Sequence, residues 1–158
     1  MAGLRYAHEA ALLGVAAESR QESISEAQAL DALRDLARAY ENEDAGAFLE
    51  LTASGFLSQG ASPLDRATLE RAIHDDFANL GDIRVSLRNF RTTLYPDKAE
   101  IGFDWDRRAL VQLSGHEWQV RDQDSVFIFI KEDGRVKLAG AQGDPLFGLS
   151  GLFTRQIS

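Results

Sequence analysis

The stretch 99-AEIGFDWDRRALVQLSGHEWQVRDQDSVFIFI-130 decides the fold of this chain. Apolar and polar side chains alternate over Ala99–Trp105 and again over Trp118–Ile130, and Ser114-Gly115 between them is typical of a tight turn. This alternation has the period of a strand with one buried face. The stretch therefore predicts two long antiparallel strands that form a hairpin.

A two-residue turn at Ser114-Gly115 would fix the pairing of these two strands. It places Arg107 opposite Asp122, and it pairs apolar residues with apolar residues further from the turn. A shift by one residue would break these pairings, which supports the register. The predicted pairs are Leu113 with His116, Val111 with Trp118, Ala109 with Val120, Arg107 with Asp122, Trp105 with Asp124, Phe103 with Val126, and Ile101 with Ile128.

The turn Glu132-Asp133-Gly134 leads into a further strand. Read as a three-residue loop with Gly134 in the left-handed conformation, it places Val136 opposite Ile130, whereas a two-residue loop would place Lys137 there. The sequence therefore favours the three-residue loop. The predicted apolar sheet face consists of Ile101, Phe103, Trp105, Trp118, Val120, Val126, Ile128, Ile130, Val136 and Leu138.

The opposite face of the predicted sheet carries Phe127 and Phe129 among polar side chains. Two phenylalanines on a polar face indicate an interface, so we expect a homodimer through this face. Coverage of the two rings by the C-terminal tail is the alternative. The tail, Leu149–Ser158, keeps several apolar residues and is expected to dock on its own domain or on a partner.

Three helices are predicted before the sheet. Ser25 and Gln28 form a capping box at the start of the first, and Asp44 and Asp65 are N-cap residues for the second and third. Gly81 is expected to end the third helix as a left-handed cap.

The strand that follows the third helix changes phase along its length. Ile83, Val85 and Leu87 alternate with polar residues, but the next apolar residue, Phe90, is one position late. A β-bulge near Arg88-Asn89 would restore the register.

Length and composition exclude several classes of protein. The chain has 158 residues, 44% of them apolar, which is enough for one domain with a sizeable core. It has no cysteine, so disulfides and thiolate zinc sites are excluded. The net charge of −8, without a basic stripe, argues against nucleic acid as a partner.

The N-terminal segment Met1–Ala17 reads as an amphipathic helix, with the remnant of a signal peptide or disorder as the alternative. No apolar run approaches the roughly 18 residues of a membrane helix, so no membrane partner is expected. We expect a cytoplasmic protein; export with a signal that this chain lacks is the alternative.

Three stretches carry a resemblance to a known superfamily. They are the helix, break and second helix in 38-RAYENEDAGAF-48, the hairpin 99–130, and the last strand with its exit, Val136–Leu138 and Gly143–Gly148. In this pattern the chain resembles the nuclear-transport-factor-2-like superfamily (SnoaL-like and ketosteroid-isomerase-like proteins). The resemblance implies an α+β, cystatin-like roll in which N-terminal helices and a curved antiparallel sheet form a cone with an internal pocket. The resemblance covers about Ser25–Gly148, so we expect a helical extension over 1–24, the domain over 25–148 and a docked tail over 149–158.

The superfamily contains ketosteroid isomerase, scytalone dehydratase, limonene epoxide hydrolase and polyketide cyclases, together with many non-enzymatic binding modules. The tyrosine that ketosteroid isomerase needs would fall at Leu36, with Tyr40 one turn late, and the base region Phe56–Gln59 has no carboxylate. The Arg-x-Asp of limonene epoxide hydrolase is matched by Gly102-Phe103-Asp104, which lacks the arginine. The catalytic patterns of these enzymes are therefore missing.

Arg107, Asp122 and Asp124 are the strongest polar candidates for a site. The predicted register brings them together on the helix-covered face, where Asp124 could act as a general base and Arg107 could orient a polar ligand. A cross-strand ion pair at the open end of the cone is the alternative.

Five aromatic residues are candidates for lining an apolar ligand pocket. An ordinary core is the alternative. The five are Tyr40, Phe90, Phe103, Trp105 and Trp118.

Acidic and histidine clusters do not form a metal site in this interpretation. His74-Asp75-Asp76 lies on the third helix, where neighbours point about 100° apart, and is expected to be exposed. Asp104 and Asp106 share one strand face with too few further ligands, so that face is expected to be solvated. No metal or cofactor is predicted.

The sequence thus predicts a non-enzymatic domain that binds a small apolar ligand or a protein partner in or around its cone. The alternative is a small lyase, isomerase or cyclase that uses Asp124 or Asp122 with Arg107.

Overall fold

A computed structural model describes residues 23–59 and 63–142. The predicted N-terminal helix, most of the loop at 60–63, the exit 143–148 and the tail 149–158 lie outside the described residues. The described elements are α1 (Glu26–Glu41), α2 (Ala45–Glu50), β1 (Thr52–Ser58), α3 (Arg66–Asn79), β2 (Leu80–Leu94), β3 (Ala99–Val111), β4 (Glu117–Glu132) and β5 (Arg135–Gln142).

The five strands form one curved sheet in the order β1-β5-β4-β3-β2, with the helices packed on one face. Strand β1 is parallel to β5, and the other neighbours are antiparallel. This arrangement confirms the predicted α+β class. None of the described helices is long and apolar enough to cross a membrane.

The predicted helix starts are confirmed. The Ser25 hydroxyl accepts a hydrogen bond from the Gln28 backbone N–H at 3.1 Å, and the Gln28 side chain accepts one in return from the Ser25 N–H. The carboxylates of Asp44 and Asp65 cap α2 and α3 in the same way. Each cap satisfies an N–H group that has no partner inside the helix.

The end of α3 differs from the prediction. Gly81 is not a left-handed cap, because Leu80 is already extended (φ −119°, ψ 148°) and the chain passes directly from α3 into β2. The left-handed residue is Asp82, with φ 50°. Gln112 supplies the hydrogen bonds at this junction instead. Its backbone N–H donates to the Asn79 carbonyl at 2.8 Å, and its side-chain amide donates to the Leu80 carbonyl at 2.9 Å.

The role of Gln112 explains why the predicted β3–β4 turn is wrong. Because Gln112 is tied to the end of α3, β3 ends at Val111, and the hairpin resumes with Leu110 opposite Glu117. The connection is therefore longer than the two residues predicted at Ser114-Gly115. As a consequence, Val120 rather than Asp122 lies opposite Arg107.

A β-bulge in β4 shifts the register a second time. Asp122 lies opposite Trp105 but Ser125 lies opposite Phe103, and Asp124 between them has a φ of 63°. The backbone N–H of Asp124 donates to the Asp104 carboxylate at 3.0 Å, which fixes the extra residue in place. Since side chains alternate with a period of two, this extra residue exchanges the faces of all residues beyond it.

Phe127 and Phe129 therefore face the helices, and the prediction that they form an exposed interface is wrong. Phe127 is 3% exposed and Phe129 is fully buried. The Phe127 ring meets Phe103 edge to face, with centroids 5.0 Å apart. The residues predicted for the inner face in this part of β4, namely Val126, Ile128 and Ile130, are half-buried on the opposite face.

The β4–β5 turn follows from the same exchange of faces. Asp133 (φ 55°) and Gly134 (φ 78°) form a two-residue connection, so the predicted three-residue loop is wrong. Both residues have the positive φ that a type I′ turn requires. With Phe129 inside, this short turn brings Leu138 opposite it, and Ile130 lies opposite Lys137 on the outer face.

The predicted bulge in β2 is confirmed and meets the bulge of β4 at Asp104. The β2–β3 register shifts between Arg88 and Arg91, and Asn89 has a φ of 59°. The Asn89 side-chain amide donates to Asp104 at 2.8 Å from one side, and the Asp124 N–H donates from the other. These hydrogen bonds hold the pKa of Asp104 below its usual range. Asp104, predicted on a solvated face, is only 8% exposed.

Replacement of Phe127 by alanine tests the inward orientation. We expect Phe127→Ala to lower the free energy of unfolding by about 3–5 kcal/mol, because it leaves a cavity in the core. Leu113→Ala is the matched control, since Leu113 is 93% exposed and should lose little. Urea denaturation measures both; equal losses in the two variants would contradict the orientation.

Candidate functional site

A buried polar cluster lies between the helices and the sheet. At its centre is Arg107 on the inner face of β3, with a side chain that has no exposed surface. Its guanidinium carbon lies 4.8 Å from the centre of the Trp118 ring and 5.6 Å from that of Tyr40. These distances place the cation within the range of cation–π attraction to both rings.

Asp76 from α3 supplies the negative charge of this cluster. The Asp76 Oδ2 atom lies 3.3 Å from Arg107 Nη1, and it accepts a hydrogen bond from the Tyr40 hydroxyl at 2.5 Å. Arg107 Nη1 also donates to the Tyr40 oxygen. We call Tyr40, Asp76, Arg107 and Trp118 the buried cluster; it joins α1, α3, β3 and β4.

Helical spacing explains why Asp76 is buried. Asp76 follows Leu69 by seven positions and Ile73 by three, so it shares the buried stripe of α3. Asp76 is fully buried, and the prediction that it is exposed is wrong, although His74 and Asp75 beside it are exposed. A charged residue on an apolar helical stripe was the signal that could have identified it.

The electrostatics of the cluster keep Tyr40 protonated. Burial raises the pKa of Tyr40 far above its usual range, and this effect outweighs the opposing effect of the Arg107 charge. The carboxylate of Asp76 raises it further. The phenol is therefore a neutral hydrogen-bond donor, and it helps to solvate a carboxylate that water does not reach.

The polar groups of the buried cluster form hydrogen bonds with one another. Tyr40, Asp76 and Arg107 all have 0% exposure, and the hydrogen bonds between them use the phenol, the carboxylate and the guanidinium. A general base must come within hydrogen-bond distance of the proton that it removes. In the part of the chain that the structure describes, Asp76 has no exposed surface at which such a contact could be made.

The residues predicted to form a polar site are not brought together. Arg107 lies on the helix-covered face, as predicted, but its ionic contact is with Asp76, and Val120 lies opposite it. The Asp124 side chain is 86% exposed and lies 3.2 Å from Arg91. The backbone of Asp122 pairs with Trp105, and its side chain lies outside the described part of the structure.

The five predicted ligand-lining aromatics divide into two groups. Tyr40, Phe103 and Trp105 are fully buried, and the Trp105 indole N–H donates to the Ser125 hydroxyl at 2.8 Å. Phe90 and Trp118 are half-buried. Three of the five thus pack in the core, and a role of this set in ligand binding stays a prediction.

The surface formed by the described residues includes the following two grooves. The first, of about 300 Å³, lies between α1 and β2; we call it the α1–β2 groove. The second, of about 250 Å³, lies at the β3–β4 hairpin end and is mostly polar. Residues lining the α1–β2 groove are Arg34, Ala37, Arg38, Glu41, Val85, Leu87 and Phe90.

The described residues contain no group of three or more histidine and acidic side chains that could hold a metal ion.

Solved structures with the same architecture are numerous. A nuclear-transport-factor-2-like superfamily protein from Salmonella enterica aligns with a TM-score of 0.64 at 9% identity, over 71% of this chain and 84% of its own. A ketosteroid isomerase-like protein from Erwinia carotovora aligns with a TM-score of 0.60 at 16% identity, over 75% and 95%. A nuclear-transport-factor-2-like protein from Cytophaga hutchinsonii gives 0.59 at 14%, over 75% and 97%.

Comparison with known sequences, by contrast, gives no match. No protein-family model matches the chain, and no curated protein matches it significantly in sequence. The solved structures show that the chain has the nuclear-transport-factor-2-like fold, as its sequence pattern predicted. This fold is shared by enzymes and by non-enzymatic proteins.

Two variants test whether the buried cluster is a structural ion pair. We expect Asp76→Asn to lower the free energy of unfolding by about 3–5 kcal/mol, because it removes a negative charge beside a buried guanidinium. The double variant Asp76→Leu with Arg107→Met removes both charges and should be more stable than the single variant. Chemical denaturation of all three proteins measures this; a double variant less stable than Asp76→Asn would contradict the ion-pair role.

Proposed function

We propose that this chain is a non-enzymatic binding module for a small apolar ligand. The observation that carries the proposal is the closed state of the buried cluster: Asp76, Tyr40 and Arg107 bind one another and have no exposed surface. An enzyme of this fold needs an acid or base that its substrate can contact. The cluster stabilises the interior and supplies no such group.

Apolar surface that a ligand can reach is found at the α1–β2 groove. Val85, Leu87 and Phe90 are half-buried there, and the groove has about 300 Å³, at the lower end of the range of small-molecule sites. Binding at this surface requires no rearrangement of the core. The proposed ligand site is therefore around the cone rather than inside it.

A thermal-shift screen followed by mass spectrometry tests this function. We expect compounds with small apolar bodies to raise the melting temperature, because a ligand that binds only the folded state stabilises it. Compounds that stabilise the protein should be recovered unchanged after long incubation. Protein-dependent conversion of a stabilising compound would contradict the proposal, and so would a full screen without any stabilising compound.

A lyase, isomerase or cyclase is the second candidate function. It is favoured by the carboxylate of Asp76 inside the cone and by the likeness of the fold to a ketosteroid isomerase-like protein. In that case Asp76, rather than the exposed Asp124, would be the general base. Conversion observed in the screen and abolished in a folded Asp76→Asn variant would support this candidate over binding alone.

Self-association is proposed through the outer sheet face, at a different place from the one predicted. Ile128 and its neighbours Val126 and Ile130 form an apolar strip there, and Leu57, 55% exposed, lies on β1 across Gly140. Charged side chains flank the strip, including the pair Arg121 and Asp106. A two-fold contact places the same strip on both subunits, so apolar surface would cover apolar surface.

Sedimentation velocity over a range of protein concentrations tests the dimer. We expect the wild-type chain to dimerise and Ile128→Lys to be monomeric, because a charge would be buried at the contact. Leu110→Lys is the control, since Leu110 is 42% exposed at the hairpin end of the sheet, outside the strip. A monomeric wild-type chain, or an Ile128→Lys variant that still dimerises, would contradict this proposal.

A further inference from the structure

We propose that the α1–β2 groove binds a small amphipathic anion, a carboxylate with an aromatic or alkyl body. This inference rests on the proposed binding function and adds the place and the chemical class of the ligand. It depends on the shape of the groove, on the charges along its rim and on the order in which those charges occur.

The groove has an apolar floor. Its apolar lining residues are Ala37 on α1 and Val85, Leu87 and Phe90 on β2. Half-buried apolar surface of this kind gains free energy when a ligand removes it from water. The volume of about 300 Å³ suits one small molecule rather than a peptide strand or helix.

Two guanidinium groups line the rim, that of Arg34 at the Phe90 end and that of Arg38 one helical turn further along α1. The Arg34 guanidinium carbon lies 5.6 Å from the centre of the Phe90 ring, so the charge borders the apolar floor. Arg38 forms an ion pair with Asp35 at 2.8 Å, but its side chain is 65% exposed. Ion pairs in water are weak, so Arg38 can exchange Asp35 for the carboxylate of a ligand.

The opposite end of the groove carries a negative charge. Glu41 lies on α1 two turns after Arg34, and its carboxylate accepts a hydrogen bond from the Val85 backbone N–H at 2.7 Å. This hydrogen bond holds Glu41 beside Val85. The groove therefore runs from a positive end at Arg34 to a negative end at Glu41, which orients an anionic head group toward Arg34.

A carboxylate is the anion that this rim fits. Arginine presents a planar pair of N–H donors that matches the two oxygens of a carboxylate, and the guanidinium of Arg34 already lies over the Phe90 ring beside the apolar floor. A neutral ligand with the same body would use the floor but not the rim. A cation would meet Arg34 and Arg38 with like charge.

NMR titration of the full chain with two matched probes tests the inference. The probes are 2-naphthoate and 2-naphthylmethanol, which share the aromatic body and differ in charge. We expect naphthoate to shift the amide signals of Ala37, Leu87 and Phe90 and to bind more tightly than the alcohol. If neither probe shifts these signals, or if the alcohol binds as tightly, the inference is overturned.

Two variants separate the rim from the floor. Arg34→Gln should weaken naphthoate about threefold to tenfold and leave the alcohol unchanged, since only the anion uses the charge. Arg84→Gln is the matched control, because Arg84 is an exposed arginine on β2 that pairs with Asp82 away from the groove. Phe90→Ala should weaken both probes.

The outcomes distinguish this inference from the function on which it rests. If naphthoate binds the wild-type chain but Arg34→Gln and Arg84→Gln behave alike, the anion preference is wrong and the binding function stands. If the probes shift signals elsewhere in the chain, the groove is the wrong site. Failure of the binding function itself is seen separately, in the thermal-shift screen.

Discussion

A guanidinium group without exposed surface must be neutralised within the protein, and the architecture of this chain depends on how Arg107 is neutralised. A buried charge loses its hydration, and the loss is repaid only by close opposite charge and hydrogen bonds. Asp76 of α3 supplies the charge at 3.3 Å, and the rings of Tyr40 and Trp118 cover the cation. This arrangement fixes α1 and α3 on the sheet.

Local signals in the sequence predicted the elements of the fold but not their register. The helix caps at Ser25, Asp44 and Asp65 and the bulge at Asn89 each depend on residues close in sequence, and all are confirmed. The register of β4 depends on two contacts between distant residues. Gln112 bonds to the end of α3, and Asp104 holds the left-handed Asp124. Pairing strands from an assumed tight turn could not include either contact.

The bulge at Asp124 shows how one residue decides which side chains pack in the core and which face outward. Without it, Phe127 and Phe129 would face outward, as the alternation predicts; with it, they complete the core and Ile128 faces outward. For the site, strand alternation placed Arg107 on the helix-covered face, where it is buried, although the aspartates predicted beside it are not its partners. The acidic partner of Arg107 could not be found by pairing the strands of the hairpin, because Asp76 lies on α3. Only its position on the apolar stripe of that helix distinguished Asp76 from other acidic residues.

We propose that the buried cluster is a structural ion pair and that ligands bind outside it. A crystal structure of the chain with a compound from the thermal-shift screen tests this claim most directly. The account predicts an intact contact between Arg107 Nη1 and Asp76 Oδ2, with the compound in the α1–β2 groove. A compound that enters the cone and separates Arg107 from Asp76 would contradict it.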